Sequence, residues 1–173
     1  MTHWISPSAS SPESLTIIVP SPLGLLTITE EDGAIVELWW RGKRATPAPT
    51  PLLAEAALQV AAYFDRRLKD FDLPVRPVGS PFQQAVWQAM CRIPAGSTRT
   101  YGSVADEVGA PARAVGGACG TNPIPIIIPC HRILAAGGSL GGYSGTGGGK
   151  TKLFLLDLEG AAADSDPRQM RLL

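Results

Sequence analysis

Cys130 and His131 stand side by side in a chain of 173 residues that has only three cysteines and two histidines. A thiol attacks carbon as the thiolate, and an imidazole within reach can take its proton. The pair follows an apolar run, Ile124-Pro125-Ile126-Ile127-Ile128-Pro129. Prolines fix φ, so this run is expected to hold the backbone extended and to aim the thiol. Neighbours on an extended chain point to opposite faces, so contact between Cys130 and His131 needs a turn at this point or a bridging water. The competing reading is a small buried apolar cysteine in a core strand.

The elements that would carry this pair can be read along the chain. Residues 15–19, 25–29 and 34–40 are β-branched and aliphatic runs separated by Ser21-Pro22-Leu23-Gly24 and Asp32-Gly33, which predicts three strands of a short antiparallel sheet. Residues 44–51 hold three prolines and read as a linker. Residues 52–68 place Leu53, Ala57, Val60, Ala61, Phe64 and Leu68 at helical spacing. Ser80 is a natural N-cap with Pro81 in the first helical position, for a helix to about Cys91. Residues 100–108 and 112–119 form two short helices broken by Gly109-Ala110-Pro111, the outline of a helix-turn-helix or of any helical corner. The second of these is built almost wholly of small residues, with Arg113 its one long side chain. Each mid-helix glycine costs about 1 kcal/mol, which suits a backbone that must approach another surface closely, be it the core or a DNA minor groove. The fold class is α+β: an N-terminal α/β domain over residues 1–78 and a mainly helical domain over 79–173, with a disordered tail after about residue 162.

Composition bounds the function. Formal net charge is zero and 45% of residues are hydrophobic, enough for a core. From Arg92 to Lys152, however, six basic residues face only Asp106 and Glu107, a local excess that suits phosphate backbones or a solvated face. No apolar run is long enough for a membrane span and no leader pattern opens the chain, so no membrane partner and a cytoplasmic location are expected. Three scattered cysteines, Cys91, Cys119 and Cys130, read as free thiols in a reducing compartment. Eight glycines fall among residues 137–149, which demands a loop. Its end, Gly147-Gly148-Gly149-Lys150-Thr151, imitates a phosphate-binding loop, but Ser144 stands where that pattern requires glycine.

Pro129-Cys130-His131-Arg132-Ile133 resembles the active-site motif of the O6-alkylguanine-DNA alkyltransferases. Ser80-Pro81-Phe82-Gln83-Gln84, Thr100-Tyr101-Gly102, Ala112-Arg113-Ala114-Val115-Gly116-Gly117, Asn122-Pro123 and Leu158-Glu159-Gly160 resemble further landmarks of that family, in the family's order, from about Ser80 to Gly160. The resemblance implies irreversible transfer of an alkyl group from O6-alkylguanine in double-stranded DNA to Cys130, once per protein molecule, with a weaker activity on O4-alkylthymine. It implies that Glu159 orients His131, which withdraws the Cys130 proton through a water. Tyr101 would donate a proton to the guanine ring, and Asn122 would hold the turn before the active-site segment. Arg113 would replace a nucleotide rotated out of the stack, while Ala112, Tyr101, Gly116 and Gly117 meet the minor groove. Pro125, Ile133, Tyr143 and Ser144 would line the substrate pocket. The protein would act as a monomer without cofactor.

Two departures matter. Family members that bind zinc use Cys and His of the N-terminal domain, where this chain offers only His3, so no metal is expected. The glycine tract after Ser144 is about two residues longer than common family forms, which bears on tolerance for bulky alkyl groups. Two other classes remain open on the residues alone. One is a cysteine hydrolase using Cys130, His131 and Glu159; the other is a helix-turn-helix DNA binder without chemistry.

Overall fold

The computed structural model describes residues 1–6, 13–40, 45–143 and 145–161. It is an α+β protein whose contacts divide into two units: Met1–Val78 with Pro123–Ile127, and Gly79–Asn122 with Ile128–Leu173.

The first unit is a five-stranded sheet with one helix. Strands β2 (Leu15–Ser21), β3 (Gly24–Glu31) and β4 (Ala34–Trp39) form an antiparallel meander. Their alternating aliphatic residues bury Val19, Leu26, Ile28, Ile35 and Leu38. The sheet is mixed rather than purely antiparallel. The two-residue strands β1 (His3–Trp4) and β5 (Pro74–Val75) pair parallel with each other, and β5 pairs parallel with β4. Segments that short carry no periodicity, so the sequence gives no sign of them. Helix α1 (Pro51–Phe64) starts under a Thr50 cap and ends four residues short of Leu68. Asp65 caps it and Arg66 turns the chain at φ 59°.

The second unit is mainly helical. Ser80 caps α2 (Pro81–Cys91) through a reciprocal box with Gln83, whose side chain also reaches Thr121 Oγ1 at 2.9 Å. Trp87, fully buried, donates its indole N–H to the Ala118 carbonyl at 2.8 Å and so ties α2 to α4 (Ala112–Gly120). Helix α3 (Tyr101–Val108) begins at a Thr100 cap and stops at Gly109, which takes φ 65°. That left-handed residue lets Ala110 and Pro111 redirect the chain into α4. Strands β6 (Arg99–Thr100) and β7 (Ile133–Leu134) pair parallel, which brings the start of α3 beside the segment that follows Cys130. Helix α5 (Gly149–Glu159) closes the unit, with Leu156 packed on Leu134 and Ala161.

Candidate functional site

Cys130 is not presented by an extended strand. The run before it is bent twice: Ile126 lies at φ 75°, a costly value for a β-branched residue, and Pro129 forms an inverse γ-turn in which the Cys130 amide donates to the Ile128 carbonyl at 2.9 Å. Proline fixes its own φ but not that of its neighbours, so an apolar Pro-rich run does not have to be straight. Cys130, His131 and Arg132 then make one turn of 3₁₀ helix. Asn122 closes the segment from below, its amide donating to the Ile128 carbonyl at 2.8 Å.

Glu159, the last residue of α5, lies next to this turn. Its carboxylate accepts from His131 Nε2 at 2.8 Å and from a two-pronged Arg132 fork, Nε to Oε2 and a terminal nitrogen to Oε1, each at 2.8 Å. Arg132 also donates to the Ile93 carbonyl at 2.5 Å. Burial alone would raise the Glu159 carboxyl, but the hydrogen bonds from His131 and Arg132 win and hold it at about 2. An acid at a helix C-terminus is opposed by the helix dipole, and the arginine fork offsets that too. Because an ionised carboxylate only accepts, His131 must carry its proton on Nε2. Its Nδ1 is then a lone-pair nitrogen, and it is buried with no hydrogen-bond partner among the described residues. Burial holds the imidazole below its usual pKa, against the pull of Glu159, so the ring is neutral and able to accept a proton.

The Cys130 thiol is raised by burial. Hydrogen bonds from the Asn122 side chain and from the Cys130 and His131 amides, and the charge of Lys152, oppose that rise without overcoming it. The resting group is therefore a thiol, and its reactivity depends on proton removal during attack rather than on a standing thiolate.

A cavity of about 490 Å³ opens over the thiol, lined by Tyr101, Arg113, Cys119, Cys130, Gly142 and Tyr143 among others. The Tyr101 hydroxyl donates to the Gly142 carbonyl at 3.2 Å, and burial pushes the phenol up to about 12. Tyr143 is also raised by burial, with Cys130 contributing. Ala112, Arg113 and Gly117 are exposed on one side of α4, and Gly116 is half-buried there. Two residues expected in the pocket do not line this cavity: Pro125 falls in the first unit, and Ile133 is fully buried in β7. Both residues of β7, Ile133 and Leu134, are buried, so the Ile133 side chain packs in the core rather than on the cavity wall. Ser144 lies outside the described residues.

The local positive excess is smaller than the sequence suggests. Arg92 and Arg99 both bind Glu107, Arg132 is held by Glu159, and Lys152 is fully buried. Sequence reading missed three site residues. Arg132 and Lys152 were counted as surface charge, although Lys152 lies seven residues before Glu159 and so shares its helix face. Cys119 gave no signal at all; burial pushes its thiol up to about 12. In the first unit His3 lies 3.1 Å from Asp72, and no cluster of potential metal ligands occurs among the described residues.

The family profile of the 6-O-methylguanine DNA methyltransferase DNA-binding domain matches residues 81–161. The methylated-DNA–protein-cysteine methyltransferase of Methanosarcina acetivorans is 42% identical over 153 residues, 83% of this chain and 97% of that protein. The crystal structure of Mycobacterium tuberculosis O6-methylguanine methyltransferase is similar at a TM-score of 0.75 and 40% identity, covering 91% of this chain and 99% of that one. Mycobacterium tuberculosis OGT in complex with DNA gives 0.73 and 44%, over 87% and 96% of the two chains.

Proposed function

The chain belongs to the methylated-DNA–protein-cysteine methyltransferase family, and on that premise we propose that it repairs O6-alkylguanine in double-stranded DNA by taking the alkyl group onto Cys130. The single observation that carries this reading is the His131–Glu159 hydrogen bond in the turn that carries Cys130, whose thiol lines a cavity beside α4.

In this reading α3 and α4 act as a helix-turn-helix that meets the minor groove. The small residues Ala112, Gly116 and Gly117 let the α4 backbone come close, and exposed Arg113 fills the space of a nucleotide rotated into the cavity. Cys130 Sγ attacks the alkyl carbon in line: the S–C bond forms as the C–O6 bond breaks. The thiol proton passes through a water to His131 Nδ1, the nitrogen that the Glu159 bond leaves available. Tyr101 exchanges its bond to the Gly142 carbonyl for one to the guanine ring and supplies the proton that neutral guanine needs on departure. A thioether is a poor leaving group, so each molecule acts once. O4-alkylthymine offers the same kind of carbon and is a weaker substrate. One copy suffices, without cofactor or metal. The reducing cytoplasm suits its three free thiols.

The test reads the DNA. Incubation with duplex holding O6-methylguanine, followed by nucleoside analysis, is expected to convert the lesion to guanine in proportion to added protein. Binding without conversion would favour a DNA binder that performs no chemistry, and release of free methanol with turnover would favour a hydrolase. Arg113→Ala is expected to slow conversion in duplex by about tenfold or more, since holding a base out of the stack costs a few kcal/mol. Reaction with the free O6-methylguanine base should be nearly unchanged, and equal losses on both substrates would remove Arg113 from this role.

A further inference from the structure

We infer that Lys152 is a positioning residue: it fastens the glycine-rich segment Leu140–Gly142 down as a wall of the Cys130 cavity and sets Tyr101 against that wall. The inference deepens the reading above and rests on it.

Lys152 is one of the largest fully buried side chains in the protein, with no carboxylate bonded to its ammonium among the described residues. A buried ammonium must find oxygen acceptors or lose its charge. Here it finds main-chain carbonyls. Nζ donates to the Leu140 carbonyl at 2.5 Å and lies 3.5 Å from the Gly142 carbonyl. It also sits 5.7 Å from the centre of the Tyr101 ring, within range of a cation–π contact. Tyr101 donates to the same Gly142 carbonyl, so one oxygen is shared by the lysine and the phenol. The residue between these anchors, Gly141, has no side chain of its own to hold it. Gly141 takes φ 60°, and a side chain there would meet the Tyr101 ring at 3.0 Å, so the backbone must pass directly over the phenol. Leu140 packs against the cluster of Leu134, Leu156 and Ala161 on one side, and Gly142 and Tyr143 face the cavity on the other. A chain so rich in glycine has much freedom to lose on ordering, and a charged anchor on a rigid helix is the means of ordering it.

The charge of Lys152 also lowers the Cys130 thiol, so a second role, as a field on the nucleophile, must be told apart from wall fastening. Two reactions separate them. With the wall loosened, transfer from methylated duplex should fall, because Tyr101 and Tyr143 no longer frame the base. Labelling of Cys130 by iodoacetamide should rise, because the thiol is less covered. If Lys152 acted only through its field, both rates should fall together.

The experiment uses the full-length chain as parent, Lys152→Met and Lys152→Gln, each first checked for a cooperative thermal transition. Glutamine keeps a donor, and methionine keeps only the length. Transfer is expected to fall roughly 10- to 100-fold in Lys152→Met, the scale of a misplaced catalytic group, with partial recovery in Lys152→Gln. Peptide mapping should show faster iodoacetamide labelling at Cys130 and faster amide exchange across residues 140–143 in Lys152→Met. Transfer and labelling that both match the parent, or that fall together, would overturn the inference. So would failure of both variants to fold, which would make Lys152 a residue of the whole core. A parent that transfers no methyl group would instead overturn the proposed function, while the labelling and exchange arms would still report on the wall.

Discussion

Cys130→Ser is expected to lose methyl transfer completely while keeping the fold and the affinity for DNA. The substitution changes one buried atom, and a hydroxyl can still accept from the Asn122 side chain that bonds the thiol. Stability should therefore stay within about 1 kcal/mol of the parent. What is lost is the soft nucleophile: a serine hydroxyl is far less acidic than a thiol, and a neutral His131 cannot draw its proton during attack on a saturated carbon. Nucleoside analysis of methylated duplex after incubation should show no guanine restored, with binding retained in a gel-shift measurement. Restoration of guanine by the serine variant would mean that another residue receives the alkyl group.

Glu159→Gln should cost both rate and stability. The carboxylate holds His131 by one bond and Arg132 by two, all within a buried site. Removing its charge leaves the Arg132 guanidinium buried without a counter-ion, a loss of about 3 kcal/mol or more. The pH dependence has a definite sign. The carboxyl is held near about 2 in the folded chain, below the ordinary value of about 4.3. Its contribution is therefore present above that ordinary value and fades as the pH falls toward 2. Glu159→Gln should flatten the acid limb of the stability curve. His131, with no carboxylate on Nε2, becomes a weaker base. The single-turnover transfer rate should fall, and the pH at which it rises should move upward, because the thiolate must then form without that base from a thiol that burial holds above its usual value. An unchanged rate–pH profile would reduce Glu159 to a structural partner of Arg132.

Local rules were legible in the sequence where the chain obeys them alone. Ser80 with Pro81 and the break at Gly109 each mark a helix end, and the helices begin and stop there, while Thr100, read as the first helical residue, is the cap of α3. The meander of β2, β3 and β4 follows from alternation and turn residues. The parallel partners β1 and β5 were not legible, because two residues show no period and their pairing depends on distant chain. Nor was the bend before Cys130: nothing in Pro125-Ile126-Ile127 announces a positive φ at Ile126, which tertiary packing imposes. At the site, Cys130 and His131 were visible as neighbours and Glu159 through the resemblance alone; the structure bonds Glu159 to His131 in the turn that carries Cys130. Arg132 and Lys152 were hidden by charge counting, which cannot distinguish a solvated cation from one buried on a carboxylate or a carbonyl.

The central claim is that Cys130 is the final acceptor and is spent in the act. It is tested most directly by the mass of the protein after reaction with excess duplex carrying O6-methylguanine. One added methyl group per chain is expected, mapped to the peptide that contains Cys130, with guanine restored in equal amount and no more formed on longer incubation. A methyl group found on any other residue, or more than one guanine restored per protein molecule, would contradict it.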